Sequence, residues 1–83
     1  MTRAPNPEIL VTDLDNELVL LNPRTQAMFT LNGTGRIVWQ NLGKYSATEI
    51  AEKIVERFEI DLPTALKDTE NLLETLANAG LLV

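Results

Sequence analysis

Between residues 9 and 31 the apolar positions come in short runs and at every second place, the spacing of strands rather than helices. Residues 9–12, Ile-Leu-Val-Thr, are apolar and β-branched and predict a first short strand. Asp13-Leu14-Asp15-Asn16 is rich in turn formers and leads into a second strand over residues 17–21. Asn22-Pro23-Arg24-Thr25 places Pro at the second position of a type I turn, with Asn before it as a good first residue. A third strand is expected over residues 26–31. It alternates Ala27, Phe29 and Leu31 on one face with Gln26, Met28 and Thr30 on the other. The predicted product is a three-stranded antiparallel sheet.

After Leu31 the period changes to that of a helix. Asn32 is a good cap for a helix over residues 33–42, in which Ile37, Val38 and Leu42 form a stripe and Trp39 adds the largest side chain. Gly33 and Gly35 lower its intrinsic helicity but allow close packing where sheet meets helix. Gly43 ends it. Ser46-Ala47-Thr48-Glu49 reads as a capping box, opening a helix with Ile50, Ile54 and Phe58 on one face and Glu52, Lys53, Glu56 and Arg57 left for water. Asp61 can cap a third helix, with Pro63 tolerated in its first turn. Leu62, Leu66, Thr69, Leu73 and Leu76 form its stripe, broadened by Ala65, Leu72 and Ala79. Gly80 stands where a left-handed cap is wanted, so Leu81 can fold back on the last turn.

The order is three strands, then three helices: an α+β, winged helix-turn-helix-like fold. Residues 1–8 carry two prolines and no periodicity and are expected to be a flexible N-terminal arm. Residues 9–83 are expected to be one domain, without repeats or linkers.

Composition narrows the chemistry. The 83 residues contain no His and no Cys, so an imidazole base, a thiol nucleophile and a Cys/His metal site are all excluded. Asp13, Asp15 and Glu17 alternate like the start of a calcium loop. However, Leu18 stands where that loop needs Gly, and Arg24 where it needs Glu. Gly33-Thr34-Gly35 follows a strand and precedes a helix but lacks both the third Gly of a dinucleotide fingerprint and the Gly-Lys-Ser/Thr of a nucleotide loop. The expectation is a non-enzyme with no catalytic residue, no metal and no cofactor.

The net charge of −5 repels nucleic acid and anionic lipid, and the seven basic residues are scattered. The longest apolar run, residues 18–21, is far too short to span a membrane, and the N-terminus lacks the apolar core of a signal peptide. A cytoplasmic location with neither membrane nor nucleic acid as partner is expected. What remains is binding. A third strand with an unpaired edge, beside a third helix carrying Lys67, Asp68, Glu70, Asn71 and Glu74, makes a groove in which a peptide can add one more strand. Two other readings stay open: an acidic winged-helix regulator of DNA or a protein partner, and a structural subunit whose free edge pairs with itself.

The segments LVLLNPRTQAMFTLNGTGRIVWQNL, SATEIAEKIVERFEI and LLETLANAGLLV resemble the PqqD-like family of peptide-recognition domains, which serve the biosynthesis of ribosomally made, modified peptides. The resemblance runs from about Ile9 to Val83, and its most specific piece is Leu-Asn-x-Thr-Gly-x-x-x-Trp, Leu31 to Trp39. Within the family the chain looks most like the stand-alone leader-binding proteins of lasso-peptide pathways. It departs from them at Gln26, where Gly is frequent, and at Met28, where an aromatic is frequent.

The resemblance implies that a precursor's leader segment lies antiparallel along the third strand, against the third helix, and is presented to a leader peptidase and a cyclase. Carried over by position, the peptide-binding residues are Gln26, Ala27, Met28, Phe29 and Thr30 on the strand. On the helix they are Lys67, Glu70, Asn71, Leu73 and Glu74. Plainer roles compete for several of these. Phe29 and Leu31 fit the core, Trp39 fits it with its N–H satisfied, and Glu70 and Glu74 fit a solvated helical pair. Met28 suits an adaptable pocket.

Overall fold

Three strands and three helices follow in the order β1 (Leu10–Leu14), β2 (Glu17–Leu21), β3 (Met28–Asn32), α1 (Thr34–Asn41), α2 (Ala47–Arg57) and α3 (Leu62–Asn78). The computed structural model describes residues 4–83. The sheet is antiparallel in the order β1-β2-β3, with Leu14 paired to Glu17 across the first hairpin and Leu21 to Met28 across the second. Leu18 and Leu20 point inward and are buried, and their β3 partners Leu31 and Phe29 share that face. The alternation read from the sequence therefore selects the correct face.

The helices close over this face. Ile37, Val38, Trp39 and Leu42 come from α1 and its end, Ile50, Ala51 and Ile54 from α2, and Ala65 and Leu76 from α3. Leu20, Ile50, Ile54 and Leu76 are fully enclosed; each such side chain contributes about 1.5–3 kcal/mol relative to exposure. Without a disulfide, burial carries the fold.

The helix ends show which cap signals act. The Ser46–Glu49 capping box forms in both directions. The Glu49 N–H donates to Ser46 Oγ at 3.2 Å, and the Ser46 N–H donates to Glu49 Oε1 at 3.0 Å. The Ser46 N–H, the larger cause, and the Ser46 hydroxyl hold the Glu49 carboxyl below its ordinary value, helped by Lys53 and opposed by slight desolvation. Asp61 caps α3 by backbone conformation, without a side-chain bond. Asn32, expected as the cap of α1, is instead the last residue of β3, and Gly33 takes the cap position with no side-chain bond. At the other end of α3, Gly80 adopts φ 77°. Its N–H donates to the Ala77 carbonyl at 3.1 Å, and the Leu81 N–H donates to that of Leu76 at 3.0 Å. This is the paired closure of a Schellman motif, and it buries Leu81 completely.

The arm is a second departure. Residues 1–3 of it lie outside the described residues, but residues 4–8 are tied down. Ala4 and Val83 exchange backbone bonds at 2.9 and 3.5 Å, and the Asn6 N–H donates to the Leu81 carbonyl at 2.9 Å. Pro5 and Leu82 form an antiparallel bridge. The sequence hid this pairing because its partner lies at the far end of the chain.

Candidate functional site

The turn before β3 sets where that strand begins. Asn22 is buried and organises the turn: its Oδ1 accepts from the Arg24 N–H at 3.0 Å, and its carbonyl accepts from the Gln26 N–H at 2.7 Å. Gln26 sits in the left-handed region at φ 63°, which no extended strand residue adopts. The Ala27 N–H is taken by Thr25 Oγ1 at 3.2 Å, and the Ala27 carbonyl by the Asn22 N–H at 2.9 Å. Gln26 and Ala27, expected to open the third strand, therefore belong to the turn, and β3 starts at Met28.

The Asn22–Ala27 bond also fixes which backbone groups of β3 are free. Hydrogen-bonded and non-bonded pairs alternate along an antiparallel ladder. Asn22 and Ala27 are in register with Leu21↔Met28 and its successors, so Leu20–Phe29 and Leu18–Leu31 are the bonded pairs. Phe29 and Leu31 spend their backbone on β2. Met28 and Thr30 point their N–H and C=O groups away from the sheet. β3 is a sheet edge, and both residues are solvent-exposed.

Beside this edge lies a cleft of about 360 Å³, bounded by Thr30, Leu31 and Asn32 of β3, the start of α1, Ile54 and Ile60, and α3. It exists because α3 packs on α2 rather than along β3. Gly35 lies at its base: a Cβ there would meet Leu31 Cδ2 at 3.4 Å and Leu72 Cδ2 at 3.5 Å, so glycine lets strand and helices approach closely. The α3 wall is Ala65, Asp68, Thr69, Asn71 and Leu72. Thr69 is buried with its hydroxyl donating to the Ala65 carbonyl at 2.8 Å, so Asp68 and Asn71 are the polar groups this wall offers.

Of the helix residues singled out from sequence, Asn71 lines the cleft, whereas Lys67, Glu70, Leu73 and Glu74 lie outside its lining. Leu73 is half-buried against the core, and the three charged ones are exposed. On the strand, Met28 is exposed, Phe29 packs against the core, and Thr30 reaches the cleft rim. Asp68, named on the groove helix but not among the contact residues, and Leu72, placed in the apolar stripe, also line the cleft. Their signal was the helical spacing 65, 68, 69, 72, which puts all four on one face.

A larger polar hollow, about 490 Å³, lies against Asp15, Asn16, Arg36 and Arg57. Arg36 is already committed there, to both Asp13 carboxylate oxygens at 2.8 and 3.1 Å and to the Glu17 carbonyl at 3.2 Å. No group of His, Cys, Asp or Glu among the described residues is arranged to hold a metal ion, and no helix is long and apolar enough to cross a membrane.

The family described as Coenzyme PQQ synthesis protein D (PqqD) matches residues 17–82, about four-fifths of the chain. The chain belongs to the PqqD family. Two solved structures share the fold of this PqqD-family chain throughout. One, described as TbiB1 in complex with the TbiA(beta) leader peptide, is 30% identical with TM-score 0.87, covering 95% of this chain and 93% of that one. The other, a lasso peptide synthetase B1 complexed with the leader peptide, is 27% identical with TM-score 0.87, covering 100% and 99%. No curated protein matches. The family resemblance read from Leu31–Trp39 and its flanks is thus confirmed, as is the α+β order of three strands and three helices.

Proposed function

We propose that this chain is a non-catalytic recognition protein for the leader segment of a ribosomally made precursor peptide. The leader adds as a strand to the free edge of β3, against α3, and the chain presents the precursor to a leader peptidase and a cyclase of a lasso-peptide pathway in the cytoplasm. The observation that carries this reading is the outward-facing backbone of Met28 and Thr30 beside an apolar cleft. Main-chain bonds to such an edge supply affinity, and pockets for alternate side chains supply selectivity. The two similar structures, each described as a leader-peptide complex, support it. On the strand the contact residues are Met28, Phe29 and Thr30, with Gln26 and Ala27 at the turn end of the edge. On α3, Asn71 lines the cleft, with Lys67, Glu70, Leu73 and Glu74 outside its lining. The acidic α3 argues against duplex DNA.

Titration with a cognate precursor leader, followed by amide NMR, tests the proposal. The Met28 and Thr30 N–H signals should shift and gain exchange protection. Thr30→Pro removes an outward donor but no bond of the β2 ladder, and Pro is tolerated on edge strands; it should fold and lose binding by about two- to tenfold, the scale of one lost hydrogen bond. Phe29→Pro removes an inner ladder bond and should disrupt the fold. Unmoved β3 amides at saturating leader, or full binding by Thr30→Pro, would sink the proposal.

A further inference from the structure

The cleft lining contains one ionisable side chain, Asp68. Everything else along it is aliphatic, glycine, threonine or asparagine. Asp68 stands exposed on the α3 wall. The two ion pairs among the described residues lie elsewhere, Arg24 with Glu8 and Arg36 with Asp13. Lys67, the next residue along, is turned about 100° around the helix and lies off the lining. The remaining charges of α3, Glu70 and Glu74, are acidic and exposed. A carboxylate with no cation paired to it among the described residues therefore overlooks a mostly apolar hollow in a chain of net charge −5.

Resting on the strand-addition reading above, we propose that Asp68 selects a basic side chain in the bound peptide. The occupant is an extended segment that sends an apolar side chain into the hollow and a Lys or Arg to Asp68. Strand geometry adds a constraint. Successive side chains of the added strand alternate between the α3 side and the outer face of the sheet. The basic residue must share the cleft side with the apolar one, so the two are separated by an even number of positions, two or four. At odd separations the basic side chain points to the outer face, where Met28 and Thr30 offer no carboxylate. The field of Asp68, reinforced by Glu70 and Glu74, also speeds encounter with basic peptides.

The test uses an mRNA-displayed library of random 15-residue peptides selected against the full chain and against Asp68→Lys. Asp68 is an exposed helical residue, and circular dichroism establishes that the variant folds. Peptides enriched on the wild type should carry Lys or Arg two or four positions from an apolar residue, and those enriched on Asp68→Lys should carry Asp or Glu there instead. One enriched peptide is then resynthesised with its basic residue changed to Glu. Its affinity for the wild type should fall by about three- to tenfold, the range for a partly screened ion pair, and recover on Asp68→Lys. Enriched peptides without this preference, or with the same preference on both proteins, overturn the role of Asp68 and leave strand addition standing. Absence of any enriched peptide on the wild type overturns strand addition, and the role of Asp68 with it.

Discussion

Gln26 is the one non-glycine residue with positive φ among the described residues. For an L-residue the left-handed region costs about 1–2 kcal/mol, and here the cost is held in place by the Asn22 carbonyl accepting from the Gln26 N–H. Glycine at this position relieves that strain while loosening the unfolded chain by about 0.5–1 kcal/mol. Gln26→Gly should therefore stabilise by up to about 1 kcal/mol, raising Tm by at most about 4–8 °C for a domain of this size. Gln26→Val, β-branched and worse suited to positive φ, should lower it. Thermal melts of both variants decide the matter, and an unchanged or reversed order would refute the strain. The same residue shows where sequence reading loses resolution. Gln-Ala-Met-Phe-Thr-Leu alternates without a break, so hydropathy extends the strand two residues too early. Only the hydrogen bonds of Asn22, a buried residue with one side-chain and two main-chain local partners, reveal the turn.

At the scale of elements, periodicity located all six, and the signals that failed were local ones. Cap residues compete with strand pairing and with backbone conformation, which is why Asn32 ended in β3 while Ser46 capped α2. The direction in which α3 presents its wall was the other weak point. Its stripe is wide, and residues at its margin divide between core and cleft according to how α3 packs on α2, which no single helix encodes. The α2 capping box yields a pH prediction. Glu49 has a folded pKa below its unfolded value near 4.5. Its contribution to stability is therefore complete above about pH 4.5 and is lost as pH falls through the lower folded value. Glu49→Gln removes that titration. The stability difference between wild type and variant, measured by urea unfolding from pH 7 to pH 3, should stay constant down to about pH 4.5 and then shrink. A difference that grows below pH 4.5 contradicts the assignment.

For the molecule as a whole, the two ends of the chain meet. Ala4, Pro5 and Asn6 run antiparallel to Leu81, Leu82 and Val83, and the Asn6 side chain donates to the Gly80 carbonyl at 3.2 Å. The Arg24 guanidinium, in the turn that starts β3, holds Glu8 at 2.7 Å, although both are well exposed and the pair adds little. The N-terminal segment thus clamps the Schellman closure of α3, the helix that walls the cleft. Each of the three backbone bonds contributes about 0.5–1.5 kcal/mol, so deletion of residues 1–6 should cost about 1.5–4.5 kcal/mol. Tm should fall accordingly, with the largest loss of amide exchange protection at Val83, whose N–H loses the Ala4 carbonyl, while the Leu81 N–H keeps its bond to the Leu76 carbonyl. Leu81 remains covered by the core, so the truncated chain should still fold at low temperature and keep its β3 edge. Leader binding by that truncated chain at 10 °C should match the full chain if the clamp serves only stability. A binding loss there, with exchange protection of α3 intact, would instead place part of the peptide contact on the arm.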